Sequence, residues 1–496
     1  MLNALILFVN CALLSIAILY FAIKLANAYR IADHPGEHKQ HLASTPFVGG
    51  VGIIVVLCMA IVIIVNSFSE DLQKWLVLGI CSIIIFMVGF VDDFLRLSYR
   101  VRLVIQFVLA LIAVLGGGIL IDNLGELFFG LPLQLEPFAI PFTIFAIIGG
   151  FNIINMIDGV DGLSGSLSLV SLLLLAIVAT IAGDMANLLL IAALAGGVVG
   201  FLKYNLRTSK KSARVFLGDN GSMLLGLVFA WLLIDLSQGH SPAMNPVTAI
   251  WILAIPLMDA VSVMYRRLRA GKSPFKPDRN HLHHLLLKAG YRTEEVVYVI
   301  VSLHLLLGLI GLVGLYLNVP DFAMLLGFLL IYMGYFYLTL RPWYYIPTLC
   351  FLHTRLHLTP NASRGTFFGN YTSTTAENLA LKISKEIRSG DEFWIQIYRQ
   401  SEGDDSGKLC ALALYLRLPK SKNAVDAKLN QFVPTLKQRL ENKYNIQMRQ
   451  LVARKEDKDL ITSEDENFNK SDLPDRRSSY RRTLGDKVLV FEVTQD

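Results

Sequence analysis

Charge is what this chain has least of: 17% of its 496 residues are Asp, Glu, Lys or Arg, while 54% are hydrophobic. Soluble domains carry roughly a quarter charged residues, so the deficit excludes an ordinary water-soluble protein and puts most of the chain in lipid. Cysteine is sparse too. The five present (Cys11, Cys58, Cys81, Cys350, Cys410) are scattered and mostly inside apolar runs, which argues against a disulfide framework or a thiolate metal site. No basic residue precedes the first apolar run, whereas Lys24 and Arg30 follow it. A cleaved secretory signal has the opposite order, so residues 1–23 read as a retained first span. No internal repeat is found.

What the chain does have is a series of apolar stretches of about 20 residues, the length that crosses a bilayer as helix. They fall near 4–27, 47–66, 72–92, 102–121, 141–157, 163–182, 186–204, 218–236, 246–265, 294–318 and 321–341. About eleven transmembrane helices are thus expected, in an all-α polytopic integral membrane protein over residues 1–341. Alternate loops then sort by charge. One set holds Lys39, Arg96, Arg100, Arg102, Lys203, Arg207, Arg214, Arg266 and Arg279, whereas 67–71, 122–140, 183–185, 237–245 and 319–320 contain no Lys or Arg. The positive-inside rule places the first set in the cytoplasm, the N-terminus outside and the C-terminus inside. The net charge of +6 therefore reflects topology and gives no sign of nucleic-acid binding. Residues 342–496 have the composition of a soluble module. Helices are expected there at 375–388 and 424–443 and strands at 393–399, 409–418, 446–452 and 488–493, a small cytoplasmic α+β domain. Residues 455–482 read as disordered.

The polar residues beside the spans cluster in the basic set of loops. Asp92-Asp93 closes an apolar run. It reads either as a solvated helix end paired with Arg96 or Arg100, or as paired carboxylates that bind Mg²⁺ or take a proton from a phosphate. Asn152, Asn155, Asp158 and Asp161 recur every third residue, which would keep them on one face of a helical or tight-turn segment. Their spacing of three does not fit a calcium loop, which uses two. Asp219, in Phe216-Leu-Gly-Asp-Asn-Gly-Ser222, reads as an N-cap or as a metal-binding acid beside an aromatic that could stack on a base. Asp278 and the triplet His281, His283, His284 open a short predicted helix, with His281 and His284 on one face and His283 turned away. That pattern fits phosphate better than zinc. Lys39 and His41 lie in a first loop rich in polar and turn residues, which also reads as an anchor to anionic lipid. His240, His304, His353 and His357 read as interface residues without chemistry.

Three long motifs taken together, Asn-x-x-Asn-x-x-Asp-Gly-x-Asp-Gly-Leu (152–163), Phe-x-Gly-Asp-x-Gly-Ser (216–222) and Ser-Pro-Phe-x-Pro-Asp-Arg-x-His-x-His-His (273–284), resemble the polyprenyl-phosphate N-acetylhexosamine-1-phosphate transferases. The resemblance covers roughly 1–341 and not the tail. It implies transfer of N-acetylglucosamine 1-phosphate from its UDP derivative to undecaprenyl phosphate, with release of UMP, on the cytoplasmic face of a bacterial inner membrane. Another UDP-N-acetyl-amino sugar is the alternative, and a transporter of lipid-linked substrates a more distant one. The implied metal is Mg²⁺, or Mn²⁺, held by Asp219 and Asp93. Asp92, Asp93 and His281 would be catalytic. Lys39, His41, Asn155, Asp158, Asp161, Phe216, Arg266, Asp278, His283 and His284 would bind substrate, Phe216 by stacking on uracil. The tail, outside the resemblance, reads as a docking module for a later glycosyltransferase or as a regulator of polysaccharide chain length.

Overall fold

The computed structural model describes residues 1–29, 45–68, 71–127, 131–207, 213–239, 241–269, 281–288, 291–340, 393–398, 408–417, 446–452 and 486–495, with single positions at 271, 273, 349, 438 and 442. It forms two compact units, Met1–Val261 with Val297–Gly334, and Ser262–Val296 with Tyr335–Asp496.

The membrane part is a run of helices: α1 (Leu2–Ala28), α2 (Gly49–Ser67), α3 (Leu72–Leu95), α4 (Tyr99–Gly117), α5 (Ala139–Ile157), α6 (Leu163–Ala182), α7 (Met185–Asn205), α8 (Gly218–Ser237), α9 (Pro246–Ile252), α10 (Ala254–Arg269), α11 (Leu282–Lys288), α12 (Thr293–Tyr316) and α13 (Asp321–Leu340). Ten are long and apolar enough to cross a membrane, and the bent pair α9–α10 makes up to eleven. Hydrophobic length thus located every expected span to within a few residues.

The ninth departs from expectation. It is not one rod, because α9 and α10 meet at 82° around Leu253. Four residues after Ile252 stands Pro256, which has no N–H to donate, so in lipid the Ile252 carbonyl needs another donor. Ser171 of α6 donates to it at 3.0 Å, and the same hydroxyl lies 2.9 Å from His304 Nε2 on α12. His304 is therefore a fully buried part of this repair and not an interface residue.

Within the first unit α8 is the hub, buried along nearly its whole length. Neighbouring backbones reach it where side chains are absent. A Cβ at Gly89 of α3 would lie 2.5 Å from the Asn220 Cα, and one at Gly150 of α5 would lie 2.8 Å from the Ala230 Cβ. At the far end of α8, Asp235 pairs with Lys74 at 2.7 Å and accepts from Asn187 at 2.7 Å, so Lys74, the one basic residue close to a loop without Lys or Arg, is locally neutralised.

In the second unit, Tyr265 of α10 meets Phe336 edge-on at 5.0 Å, and Arg266 donates to the Thr339 carbonyl at 2.8 Å. The tail carries strands β1 (Phe393–Tyr398), β2 (Lys408–Arg417), β3 (Ile446–Val452) and β4 (Asp486–Gln495) in one antiparallel sheet of order β1-β2-β4-β3. Leu412 lies opposite Phe491 and Leu414 opposite Leu489. The helix expected at 375–388, most of that at 424–443 and the segment 455–482 lie outside the described residues.

Candidate active site

Four helix ends meet in the first unit: the C-terminal ends of α3 and α5 and the N-terminal ends of α4 and α8. Each brings a polar side chain that would be costly further along its span. Asp92, in the last turn of α3, is 3% exposed and accepts from Arg102 Nη1 at 2.7 Å. The same Arg102 nitrogen lies 3.5 Å from Asp219 Oδ2 in the first turn of α8. The carboxyls of Asp92 and Asp219 are themselves in hydrogen-bonding contact. Asn155, in the last turn of α5, donates to Asp219 Oδ1 at 2.6 Å and to Ser222 Oγ at 2.9 Å. Asn152 continues this seam inward, donating to Gln106 at 2.9 Å.

Asp93 faces elsewhere. Its Oδ1 accepts from the Asp219 backbone N–H at 2.8 Å, and its Oδ2 accepts from the Asn220 N–H at 3.3 Å and Asn220 Nδ2 at 2.6 Å. The helix cap expected of Asp219 thus comes from α3, since α8 has no capping side chain of its own. The reason is geometric: Gly218 has φ 74°, and Asp219 already lies inside the first turn.

The three-residue periodicity of Asn152, Asn155, Asp158 and Asp161 holds only while the helix does. α5 ends at Ile157, so Asp158 is its C-cap and Asp161 lies beyond it. Asp161 accepts from Arg207 Nε at 2.7 Å, which ties this turn to the segment after α7. Asp158 keeps the company of the site. Burial, and then the charges of Asp219, Asp93 and Asp161, push its carboxyl up from 3.8 to about 8. Phe216 is half-buried and tilted against Phe47 at 5.8 Å, its backbone bonded to Pro46 and Gly49.

Arg102 is the residue sequence reasoning missed. It counted there only as one positive loop charge, and the pairing proposed for Asp92 was with Arg96 or Arg100. Arg96 instead ends α3 in a left-handed conformation, and Arg100 is bonded to Tyr99. The signal was available: an arginine as the first residue of a span, directly after a loop opened by two acids, must find a counter-charge.

In the second unit the histidines pack on one another. His281 precedes α11 instead of belonging to it, so helical spacing does not apply, and His283 stacks on His281 (5.4 Å, 7°) where it was expected to turn away. His284 lies 4.2 Å from His283. Lys39, His41 and Asp278 lie outside the described residues.

The chemistry of the first-unit donors suits a hard divalent cation. Two carboxyls as close as those of Asp92 and Asp219 need a shared proton or a cation between them, and Arg102 reaches both. Among the described residues, no group of three or more His, Cys, Asp or Glu forms a cage. Mg²⁺ takes one or two carboxylates and completes its shell with water and substrate phosphate, a donor set that the Asp92 and Asp219 carboxyls fit.

Residues 75–237, from α3 to α8, match the model of the family described as Glycosyl transferase family 4. Similar chains include the undecaprenyl-phosphate alpha-N-acetylglucosaminyl 1-phosphate transferases of Yersinia pestis, 35% identical over 67% of this chain and 90% of that one. Those of Escherichia coli K12 (34% identical; 66% and 88%) and Haemophilus influenzae (35% identical; 64% and 89%) match over the same scale. With four helix ends forming one acidic site and relatives aligned over nearly their whole length, this chain belongs to glycosyl transferase family 4.

Proposed function

We propose that this protein transfers N-acetylglucosamine 1-phosphate from UDP-N-acetylglucosamine to undecaprenyl phosphate, releasing UMP, at the cytoplasmic face of a bacterial inner membrane. The observation that carries this reading is the Asp92–Arg102–Asp219–Asn155 cluster at the helix ends, taken with relatives named for this transfer. An oxygen of the lipid phosphate attacks the sugar-bearing phosphorus of the nucleotide, and the bond to UMP breaks. Several negative charges converge in that step, so positioning and electrostatic stabilisation supply the acceleration.

Asp219 and Asp92 would hold Mg²⁺, which when bound offsets charge on the diphosphate. Asn155 fixes the Asp219 carboxylate through Oδ1, leaving Oδ2 toward Arg102. Arg102 adds a permanent positive charge where the phosphates would meet. The placement at helix ends suits a substrate whose chain lies in lipid and whose phosphate lies at the interface. The basic loops at this end of the first unit support a cytoplasmic site through the positive-inside rule. The tail sheet serves as a docking module for an enzyme that extends the lipid-linked sugar.

The test is UMP release by the purified protein in detergent with undecaprenyl phosphate, Mg²⁺ and a panel of UDP-N-acetyl-amino sugars. Release with the N-acetylglucosamine donor above the others supports the reading. Preference for another UDP-amino sugar reassigns the donor, and no release with any of them overturns it.

A further inference from the structure

We propose that Asp93 is a positioning residue, not a base or a metal ligand: its carboxylate caps α8 from outside and thereby sets where the Asp219 carboxylate sits. The inference rests on the transfer reading above and divides the roles within the Asp92-Asp93 pair, which the sequence motif leaves joined.

Consecutive residues of a helix point about 100° apart, so two neighbouring acids cannot both face one ligand. Here the division is explicit. Asp92 meets Arg102 and Asp219 side chains, whereas both Asp93 oxygens are engaged with three N–H donors of Asp219 and Asn220. Asp93 Oδ2 also lies against the Gly218 backbone, 2.6 Å from where a Cβ there would stand. The first N–H groups of a helix have no partner within it, and α8 supplies no cap, so Asp93 satisfies donors that would otherwise be stranded near lipid. Its anchor extends further. Asn220 Nδ2 donates to the Phe47 carbonyl at 2.9 Å as well, so α3, the start of α8 and the entry to α2 are fastened at one point. The chemistry does not require a second base. A phosphate monoester has its second pKa near 6, so at neutral pH most of the lipid substrate arrives deprotonated.

The experiment compares kcat, KM for UDP-N-acetylglucosamine, the Mg²⁺ concentration for half-maximal rate and the pH–rate profile in the full-length parent, Asp93→Asn, Asn220→Ala and the double variant. For a cap, Asp93→Asn lowers kcat by on the order of tenfold, raises the Mg²⁺ requirement and leaves the acid limb of the profile where it was. The double variant is then no worse than the poorer single one, because both changes break the same contact. A loss of about a thousandfold in folded Asp93→Asn, a vanished acid limb, or effects that multiply in the double variant would overturn the assignment. If Asp93→Asn does not fold, Asp93→Ser decides: its hydroxyl still accepts from helix N–H groups without offering a carboxylate. Parent-like pH dependence in the serine variant supports capping, and a folded but inactive protein refutes it. An inactive parent would instead reject the transfer reading, so the two failures are distinguishable.

Discussion

At the residue scale the site is an arrangement of buried charges that stabilise one another. Asp219 is the one acid touched by Asp92, Arg102 and Asn155 together, so Asp219→Asn should reduce UMP release by at least about a hundredfold while the protein still purifies as a folded monodisperse species. Arg102 is a counter-charge to Asp92 and Asp219, and in the proposed transfer it would also face phosphate. Arg102→Ala strands a carboxylate that is 3% exposed, and removing one partner of such a pair costs about 3 kcal/mol, which a thermal melt would register. Arg102→Lys should recover most of that stability but less of the rate, since one ammonium lacks the guanidinium's fixed fork of donors. Asp158 gives a pH signature. Its folded pKa, about 8, exceeds the ordinary 3.8, so the unfolded chain releases this proton first and stability falls as pH rises between those values. In EDTA the melting temperature of the parent should therefore drop from about pH 5 to about pH 8, and Asp158→Asn should flatten that slope; an unchanged slope would deny the burial effect.

At the scale of elements, function depends on how closely α3 and α8 approach. The Gly89 backbone touches the first turn of α8, and an added methyl there would meet the Asn220 Cα at 2.5 Å. Neither partner is a flexible side-chain tip, so the helices themselves must move. Gly89→Ala is expected to lose at least about tenfold in kcat, because displacements near 1 Å in a positioned site cost that much or more. Gly79→Ala on the same helix, whose nearest contact would be 3.5 Å away, should be near neutral and serves as the control. The break in the ninth span shows the limit of reading elements from hydrophobic length. Apolarity is continuous across Leu253, so sequence predicts one rod. At the bend the Ile252 carbonyl, which Pro256 cannot serve, accepts instead from Ser171, and His304 contacts that hydroxyl in turn.

At the scale of the whole molecule two outcomes are expected. In a background with all five cysteines replaced, a cysteine at Arg96 should label only from the cytoplasmic side and one at Asn318 only from the opposite side; the reverse pattern would remove the proposed site from its nucleotide. Truncation near residue 348 should leave transfer within about twofold, since the acidic cluster lies entirely in the first unit. Collapse of activity in a folded truncated protein would give the tail a part in the reaction. Sequence by itself determined the membrane class, the span positions and the strands of the tail, because burial of apolar surface and period-two alternation are local properties of a chain. It also located Asp92, Asn155 and Asp219. Tertiary structure alone decided which acid meets which partner: that Arg102 neutralises Asp92, that Asp93 turns to the α8 backbone and that Asp161 leaves the helical face for Arg207. The energy of a charge near lipid depends on what lies within a few ångströms, and helix packing sets those distances between residues 10, 46 and 126 positions apart.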